Sequence, residues 1–318
     1  MALWQAQRVA ALLAASGMPT SLLVVETEGD RRTDVSLDQL GGQGVFVKEV
    51  QAAVARGDAD AAVHSAKDLP ASALLAVPGL VLASYPERAD ARDVLVGSSV
   101  SSLPTGSTVA TGSARRRVQL ANLRSDLSFT DLRGNLATRL SNVGVGGAAA
   151  VVVAKAAIDR LGWTAPEGME IEVLEPDTML PQVGQGALAV ECRQDDDDTR
   201  AILALIDDPA VRPLVEAERA FLAELGGGCT MPVGAYAEWA ATDGGLEGNR
   251  GGSITLHGML AGGDGQVVLR NHQVGEHAED LGRAVARYLL DDAGGSDLGD
   301  WAPSSGDGAT VDLSTGVA

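Results

Sequence analysis

Apolar positions recur along this chain with two different periods, one helical and one strand-like, and the alternation between them predicts an α/β fold. From Met1 to Gly17, residues Leu3, Ala6, Val9, Ala10, Leu12 and Leu13 form one broad apolar helical face. Ser21 to Glu26 reads as a strand, and Glu28 to Gly44 loses any period, as a lid-like loop does. Phe46, Val50 and Val54 then recur at steps of four in a helix that Gly57 ends. Asp60 to His64 is a short strand running into Ser65-Ala66-Lys67-Asp68-Leu69-Pro70, where polar groups collect at its C-terminal end.

Ser84 to Arg92 reads as a crossing segment, followed by a strand from Asp93 to Gly97. Two strand-turn-helix units come next: Ser107 to Ala110 leads through Thr111-Gly112-Ser113 into a helix beginning at Ala114, and Ser128 to Leu132 leads through Arg133-Gly134-Asn135 into a helix carrying Thr138 and Arg139. Ala148 to Val153 is a strand and Lys155 to Leu161 a helix. Glu175 to Gly186 then returns, as a second crossing, to a strand from Ala187 to Cys192. Arg212 to Leu225 is a helix closed by Gly226. Beyond it lie three strands, Val233 to Trp239, Ser253 to Leu260 and Gln266 to Asn271, with Gly263-Asp264-Gly265 as a hairpin turn, and a closing helix from His277 to Leu290.

The length of 318 residues allows two or three domains, and 45% hydrophobic residues support globular packing. A net charge of -19 argues against nucleic acid as a partner, because phosphate backbones need a basic face. No long apolar run and no basic-then-apolar N-terminal signal occurs, so the expectation is a cytoplasmic protein with no membrane partner. Asp195 to Asp198 is a solvated acidic run before a helix, and the acidic, Gly- and Ser-rich stretch from Asp291 to Ala318 is expected to be disordered.

Chemistry is sparse but concentrated. His64, His257, His272 and His277 show no zinc spacing, and no metal is expected. Cys192 lies in a strand-like run and reads as a core thiol, whereas Cys229 sits in Gly226-Gly227-Gly228-Cys229-Thr230-Met231-Pro232 just past a helix end. The carbonyl end of a helix does not favour a thiolate. A covalent attachment point therefore fits Cys229 better than a protease-type nucleophile, with a buried inert cysteine as the competing reading. Gly144-Val145-Gly146-Gly147 precedes a strand instead of following one, so it is a loop and not a dinucleotide fingerprint.

Between Thr111 and Leu140 there are six arginines (115, 116, 117, 124, 133 and 139) against two acids (126 and 131). Arginines in the first turn of a helix oppose its macrodipole, at roughly 0.3 to 1 kcal/mol each when exposed. The arrangement makes sense if helix N–H groups and guanidinium forks together hold a carboxylate or phosphate. A solvated basic face is the alternative.

Five motifs, in order, resemble the porphobilinogen deaminase (hydroxymethylbilane synthase) family: His64-Ser65-Ala66-Lys67-Asp68-Leu69-Pro70, Thr111-Gly112-Ser113-Ala114-Arg115-Arg116, Leu132-Arg133-Gly134-Asn135-Leu136-Ala137-Thr138-Arg139, Leu180-Pro181-Gln182-Val183-Gly184-Gln185-Gly186-Ala187 and the Cys229 loop. The resemblance implies two lobes like those of periplasmic binding proteins, with doubly wound mixed sheets, plus a small α/β C-terminal domain with a three-stranded antiparallel sheet. On this chain the lobes would be residues 1–83 with 187–204, and 89–180; the third domain would be 209–290, before an acidic tail at 291–318.

The resemblance also implies a transferase that deaminates porphobilinogen and joins four units head to tail on a dipyrromethane cofactor, releasing 1-hydroxymethylbilane to a downstream cyclising enzyme. Cys229 would carry the cofactor through a thioether. Asp68 would be the catalytic group, stabilising the cation left on the pyrrole by loss of ammonia. Lys67, Ser65, Ser113, Arg115 and Arg116 would hold the cofactor, and Arg133, Arg139, Arg160, Thr111 and Gln185 the substrate, whose acetate and propionate suit bidentate arginine. A monomer is the family expectation. Two departures stand out: the lid carries Gln39 and Gln43 where the family commonly has lysines, and Gly112 replaces a usual serine. In the family the helix matching Ala2-Leu3-Trp4-Gln5-Ala6 follows a strand and an Arg-x-Ser-Pro-Leu turn, so a start upstream of the written one is expected. The reading from another class is a non-catalytic two-lobed binder of a small polycarboxylate.

Overall fold

The computed structural model describes residues 1–25, 47–72, 76–132, 134–226, 231–240, 252–263 and 265–298. In chain order its elements begin with α1 (Ala2–Ala15), α2 (Lys48–Arg56), β1 (Ala61–Ser65), β2 (Leu80–Ser84), β3 (Asp93–Val96) and β4 (Thr108–Ala110). Next come α3 (Ala114–Leu123), β5 (Ser128–Thr130), α4 (Leu136–Leu140), β6 (Ala148–Ala154), α5 (Lys155–Leu161) and β7 (Ile171–Leu174). The chain closes with β8 (Leu188–Arg193), α6 (Asp197–Ala204), α7 (Arg212–Glu224), β9 (Val233–Trp239), β10 (Ile254–Ala261), β11 (Val268–Gly275) and α8 (Ala278–Arg287).

The strands form three sheets, each covered by helices whose apolar faces match it. In the first, β8 runs between β1 and β2, antiparallel to both, with Val63 opposite Val190 and Val81 opposite Cys192. Residues Leu188 to Cys192 of this central strand are all buried, which explains why they are apolar except for Glu191, whose carboxylate accepts from the Gln51 amide and lies 3.2 Å from His64 Nε2. Val9 and Leu13 of α1 pack on Leu188, Val190 and Cys192. Gly57, with φ of 81°, ends α2 in the left-handed region that an L side chain rarely adopts.

The second sheet has the order β5-β4-β6-β3-β7, with β4 parallel to β5 and β6, and β3 antiparallel to β6 and β7. Alternate residues feed two cores. Val94, Val96, Val151 and Val153 meet Leu132, Leu140 and Ile158, whereas Leu95, Val109 and Val152 meet Leu120, Leu174 and Met179. The third sheet, β11-β10-β9, is antiparallel and packs Ala235, Ala237, Leu256 and Leu260 against Phe221 of α7 and Leu281 and Val285 of α8. A Cβ on Gly282 would stand 2.4 Å from the Ala217 carbonyl oxygen, so the two helices approach where only glycine fits.

The chain passes from the first sheet to the second between Ser84 and Asp93 and returns between Leu174 and Leu188. The two crossings lie antiparallel and hydrogen-bonded, with Ala89 N–H donating to the Gly186 carbonyl and Leu188 N–H to that of Glu87.

Three sequence expectations change. Ser21 to Val25 forms no strand, and Leu22, Leu23 and Val24 are 44%, 56% and 82% exposed. The composition suits a strand, but no described strand lies alongside to satisfy its backbone. β11 extends four residues beyond Asn271, because β10 continues to offer it partners as far as Gly275. Tail disorder does not begin at Asp291: a π turn spans Tyr288–Asp292, a 3-10 turn spans Gly295–Leu298, and Leu298 packs on the third core. The lid expected at Glu28 to Gly44, with Gln39 and Gln43, lies outside the described residues, as do 299–318. Among the described residues no helix is long and apolar enough to cross a membrane.

Candidate functional site

The polar end of β1 turns sharply, because Ala66–Asp68 forms a single 3-10 turn and Ala66 is buried beneath it. That turn puts Asp68 in solvent and Lys67 half inside, at the edge of a narrow cleft. Ser113 and Arg115 line the same cleft from α3, Gln182 from the second crossing, and Met231 from the start of the third sheet. All three sheets therefore contribute to one site. Cys229 lies outside the described residues, between Gly226, with φ of 64°, and Met231 at the cleft wall.

Arg115 and Arg116 do occupy the first turn of a helix, with Ser113 as N-cap accepting from the Arg116 N–H at 3.5 Å. Both guanidiniums are buried, and both reach one carboxylate. Arg115 Nη2 stands 2.8 Å from Asp93 Oδ2, and Arg116 Nη2 donates to Asp93 Oδ1 at 2.7 Å. Burial alone would raise the Asp93 carboxyl, but the two guanidiniums and hydrogen bonds from Arg116 and Gln185 hold it well below the usual carboxylate range. Asp93 was read only as a strand start. Its signal was an acid heading the otherwise apolar run Asp93-Val94-Leu95-Val96, a position that needs a buried cation.

Gln185 joins this pair to the cleft. It is 0% exposed, and its amide nitrogen donates to Asp93 Oδ1 at 2.9 Å and to the Ala91 carbonyl at 2.7 Å, while its oxygen accepts from Lys67 Nζ at 3.3 Å. Both ends of the amide are used inside the protein, so the substrate role that the resemblance implies for Gln185 would pass through Lys67. Burial lowers Lys67 from 10.5 to about 8, with Arg116 and Arg115 pushing the same way and Asp68 and Asp93 opposing.

Thr111 is buried, its hydroxyl oxygen accepting from the Ser113 N–H at 3.2 Å, so it shapes the turn before α3. Ser65 accepts from the amide of Gln5, a buried α1 residue to which the sequence assigns no role, at 2.6 Å. Arg139, half-buried in α4, donates to the Gly134 carbonyl and has no carboxylate partner among the described residues; burial and Arg116 lower its guanidinium. Arg133 lies outside the described residues. Arg160 donates to the Gly186 carbonyl at 2.6 Å and lies over the Trp4 ring, which places it at the crossing, on the α1 side.

The local basic excess shrinks accordingly. Arg117 pairs with Asp131 at the surface, and Arg124 grips Asp126 and the Val100 and Leu103 carbonyls, leaving Arg115, Arg116 and Arg139 as the described arginines of this stretch that remain for the site, beside Lys67.

Residues 1–201 match the family described as "Porphobilinogen deaminase, dipyromethane cofactor binding domain", and residues 213–291 match "Porphobilinogen deaminase, C-terminal domain". The chain is 42% identical over 302 residues to a porphobilinogen deaminase of Syntrophus aciditrophicus, covering 92% of this chain and 93% of that one. It is 44% identical over 287 residues to one of Roseiflexus castenholzii, covering 89% of each. Among solved structures, the periplasmic VFT2 domain of Bordetella pertussis BvgS overlaps 64% of this chain and 76% of its own, at 18% identity and a TM-score of 0.38.

Proposed function

The chain belongs to the porphobilinogen deaminase family and is a hydroxymethylbilane synthase of tetrapyrrole biosynthesis, and we propose that it works in the cleft where Asp68 stands beside Lys67, Ser113 and Arg115. The observation that carries this reading is the contrast between two acids. Asp93 is buried and spent on two arginines, whereas Asp68 is exposed at the cleft.

The family's dipyrromethane cofactor carries acetate and propionate side chains, and the residues present fit it. Arg115 and Arg116 share a single counter-ion, Arg139 has no carboxylate partner among the described residues, and Lys67 is a further cation at the wall. Lys67, Ser65, Ser113, Arg115 and Arg116 would hold the cofactor and Cys229 would bear it as a thioether; Met231, two residues on, reaches the cleft wall. When bound, the group supplies a pyrrole α-carbon as the acceptor for incoming units.

Asp68 faces the positive charge that develops on a porphobilinogen ring nitrogen as ammonia leaves. A fixed carboxylate costs no reorganisation at that moment, so it stabilises the transition state more than the ground state. Lys67, poised near pH 8, gains its proton more firmly once a carboxylate is beside it, so each bound side chain strengthens its own partner. Arg133, Arg139 and Arg160 would receive substrate carboxylates from the second-sheet side, and Thr111 would support them through Ser113. The divisions at 1–83 with 187–204, 89–180 and 209–290 follow the three sheets, and a monomer that hands its product to a cyclising enzyme completes the reading.

Intact mass is the test. The purified protein should exceed its sequence mass by one dipyrromethane, and the excess should vanish in Cys229→Ser. Unmodified protein that still binds porphobilinogen would instead support a non-catalytic binder.

A further inference from the structure

Glu218 of α7 is 0% exposed, yet its carboxylate takes donors from three separate segments. Oε1 accepts from Arg88 Nη1 at 2.7 Å and from the Ala237 N–H at 2.8 Å; Oε2 accepts from Arg88 Nη2 at 3.2 Å and from the Gly184 N–H at 2.7 Å. Arg88 lies in the first crossing, Gly184 in the second and Ala237 in β9. Arg88 is itself held: its Nε donates to the Gln185 carbonyl, and its guanidinium lies 5.5 Å from the Tyr236 ring centroid.

The contacts continue from Gly184 to the cleft. A Cβ on Gly184 would lie 3.1 Å from the Ala66 carbonyl carbon and the Lys67 nitrogen, so the loop rests directly on the turn bearing Lys67 and Asp68. On either side of Gly184, the Gln182 amide donates to the Lys67 carbonyl at 3.3 Å and the Gln185 oxygen accepts from Lys67 Nζ at 3.3 Å. Neutralising Arg88 needs only a carboxylate nearby. The two backbone N–H bonds do more, because they fix the carboxylate's orientation and so the height of the loop above Lys67.

We propose that Glu218 is a positioning residue for the reaction: through Gly184 and the Leu180–Gly186 loop, the seating of the third sheet and its helices sets where the Lys67 ammonium stands beside Asp68. The inference rests on Lys67 belonging to the site, but not on what Lys67 binds. Lys67 is faced by Asp68, Arg116, Asp93 and Arg115, and its lowered proton affinity comes first from burial under this loop. Loosening the loop admits water and moves Lys67 back toward its ordinary value.

The experiment follows the pH dependence of trace acetylation of Lys67 by acetic anhydride, read by peptide mass spectrometry on the cofactor-loaded protein. In the parent chain the midpoint should lie below the ordinary lysine value of 10.5, burial lowering it toward about 8 and the bound cofactor's carboxylates drawing it part of the way back. In Glu218→Gln and Glu218→Asp the midpoint should rise by at least about half a unit, while that of the exposed Lys48 at the start of α2 stays put. Glu218→Asp keeps a charge for Arg88 but retracts it from Gly184, and it is read alone if Glu218→Gln is not recovered folded. Leu281→Ala, in the core beside α7 but outside the hydrogen bonds of Glu218, separates positioning from general loosening. An unmoved Lys67 midpoint in the Glu218 variants, or an equal rise in Leu281→Ala, overturns the proposal. Neither outcome depends on turnover, so failure here is distinct from failure of the assigned activity.

Discussion

The Arg160 guanidinium lies 5.4 Å from the ring centroid of Trp4, joining α5 beside the second sheet to α1 beside the first. The same side chain donates to the Gly186 carbonyl in the second crossing. A cation over a ring contributes about 0.5 to 1 kcal/mol at partly exposed sites, and a charged hydrogen bond about 1.5 to 3 kcal/mol. Arg160→Met should therefore lower unfolding stability by about 2 kcal/mol even in protein without substrate, measured as a shift in urea midpoint. A loss seen only in substrate affinity would leave Arg160 as a ligand and nothing more.

Asp68→Asn tests the proposed catalytic carboxylate. Porphobilinogen affinity should stay within a few-fold, while turnover falls at least about 100-fold, the scale for removing a fixed electrostatic stabiliser. Since Asp68 is exposed, its denaturation midpoint should be unchanged. Turnover near that of the parent enzyme would remove Asp68 from the role.

The opposite split is expected at Asp93. Removing this carboxylate leaves two buried guanidiniums without a counter-ion, and breaking a buried pair in that way costs about 3 to 5 kcal/mol. Thermal unfolding of Asp93→Ala should show the loss before any kinetic assay is run, and a midpoint matching the parent chain would mean that the pair is not formed in solution.

Lys67 gives a pH signature. Its proton affinity in the folded chain is lowered, to about 8 from 10.5, so between those values the unfolded chain binds more protons than the folded one. Stability contributed by this group therefore rises with pH through that window, and its full cost is present below pH 8. Cofactor-free Cys229→Ser protein should show the rise in denaturant midpoint from pH 8 to 10, and addition of Lys67→Met should flatten it. Equal pH profiles for the two proteins would contradict a buried, charged Lys67.

Arg139→Leu should slow elongation, because it removes a half-buried cation with no described carboxylate partner of its own. Each lost charged hydrogen bond is worth roughly 1.5 to 3 kcal/mol, so at least a ten-fold fall in product release is expected, with partly extended enzyme visible by intact mass. Normal release kinetics would count against a carboxylate contact there.

Much of this could be read before folding, and the exceptions have a common physical origin. Helices ended where Gly57 and Gly226 stood, and the strands of the second sheet followed their alternating valines, because those signals are local. The arginine-rich first turn of α3 was also legible, but its counter-ion was not, since Asp93 lies more than twenty residues upstream and only the fold joins them. Gln185 entered the expected ligands through the resemblance alone, and its bonds to Asp93 and Lys67, which join distant segments, were not legible. Ser21 to Val25 failed as a strand for the complementary reason: its own residues suit a strand, whereas pairing depends on a neighbour.

The central position of β8 in the first sheet also dictates an order of assembly. β1 and β2 do not pair with each other; each pairs with β8, a strand made more than a hundred residues later. The second sheet, by contrast, is complete between Asp93 and Leu174. On a ribosome its strands can close over short loops while β1 and β2 still wait, and the entropy of closing the longer loops falls on the first sheet alone. The half of the site bearing Asp68 is thus the later to form, and a chain interrupted before Leu188 would hold a finished second sheet beside two unpaired strands exposed to self-association.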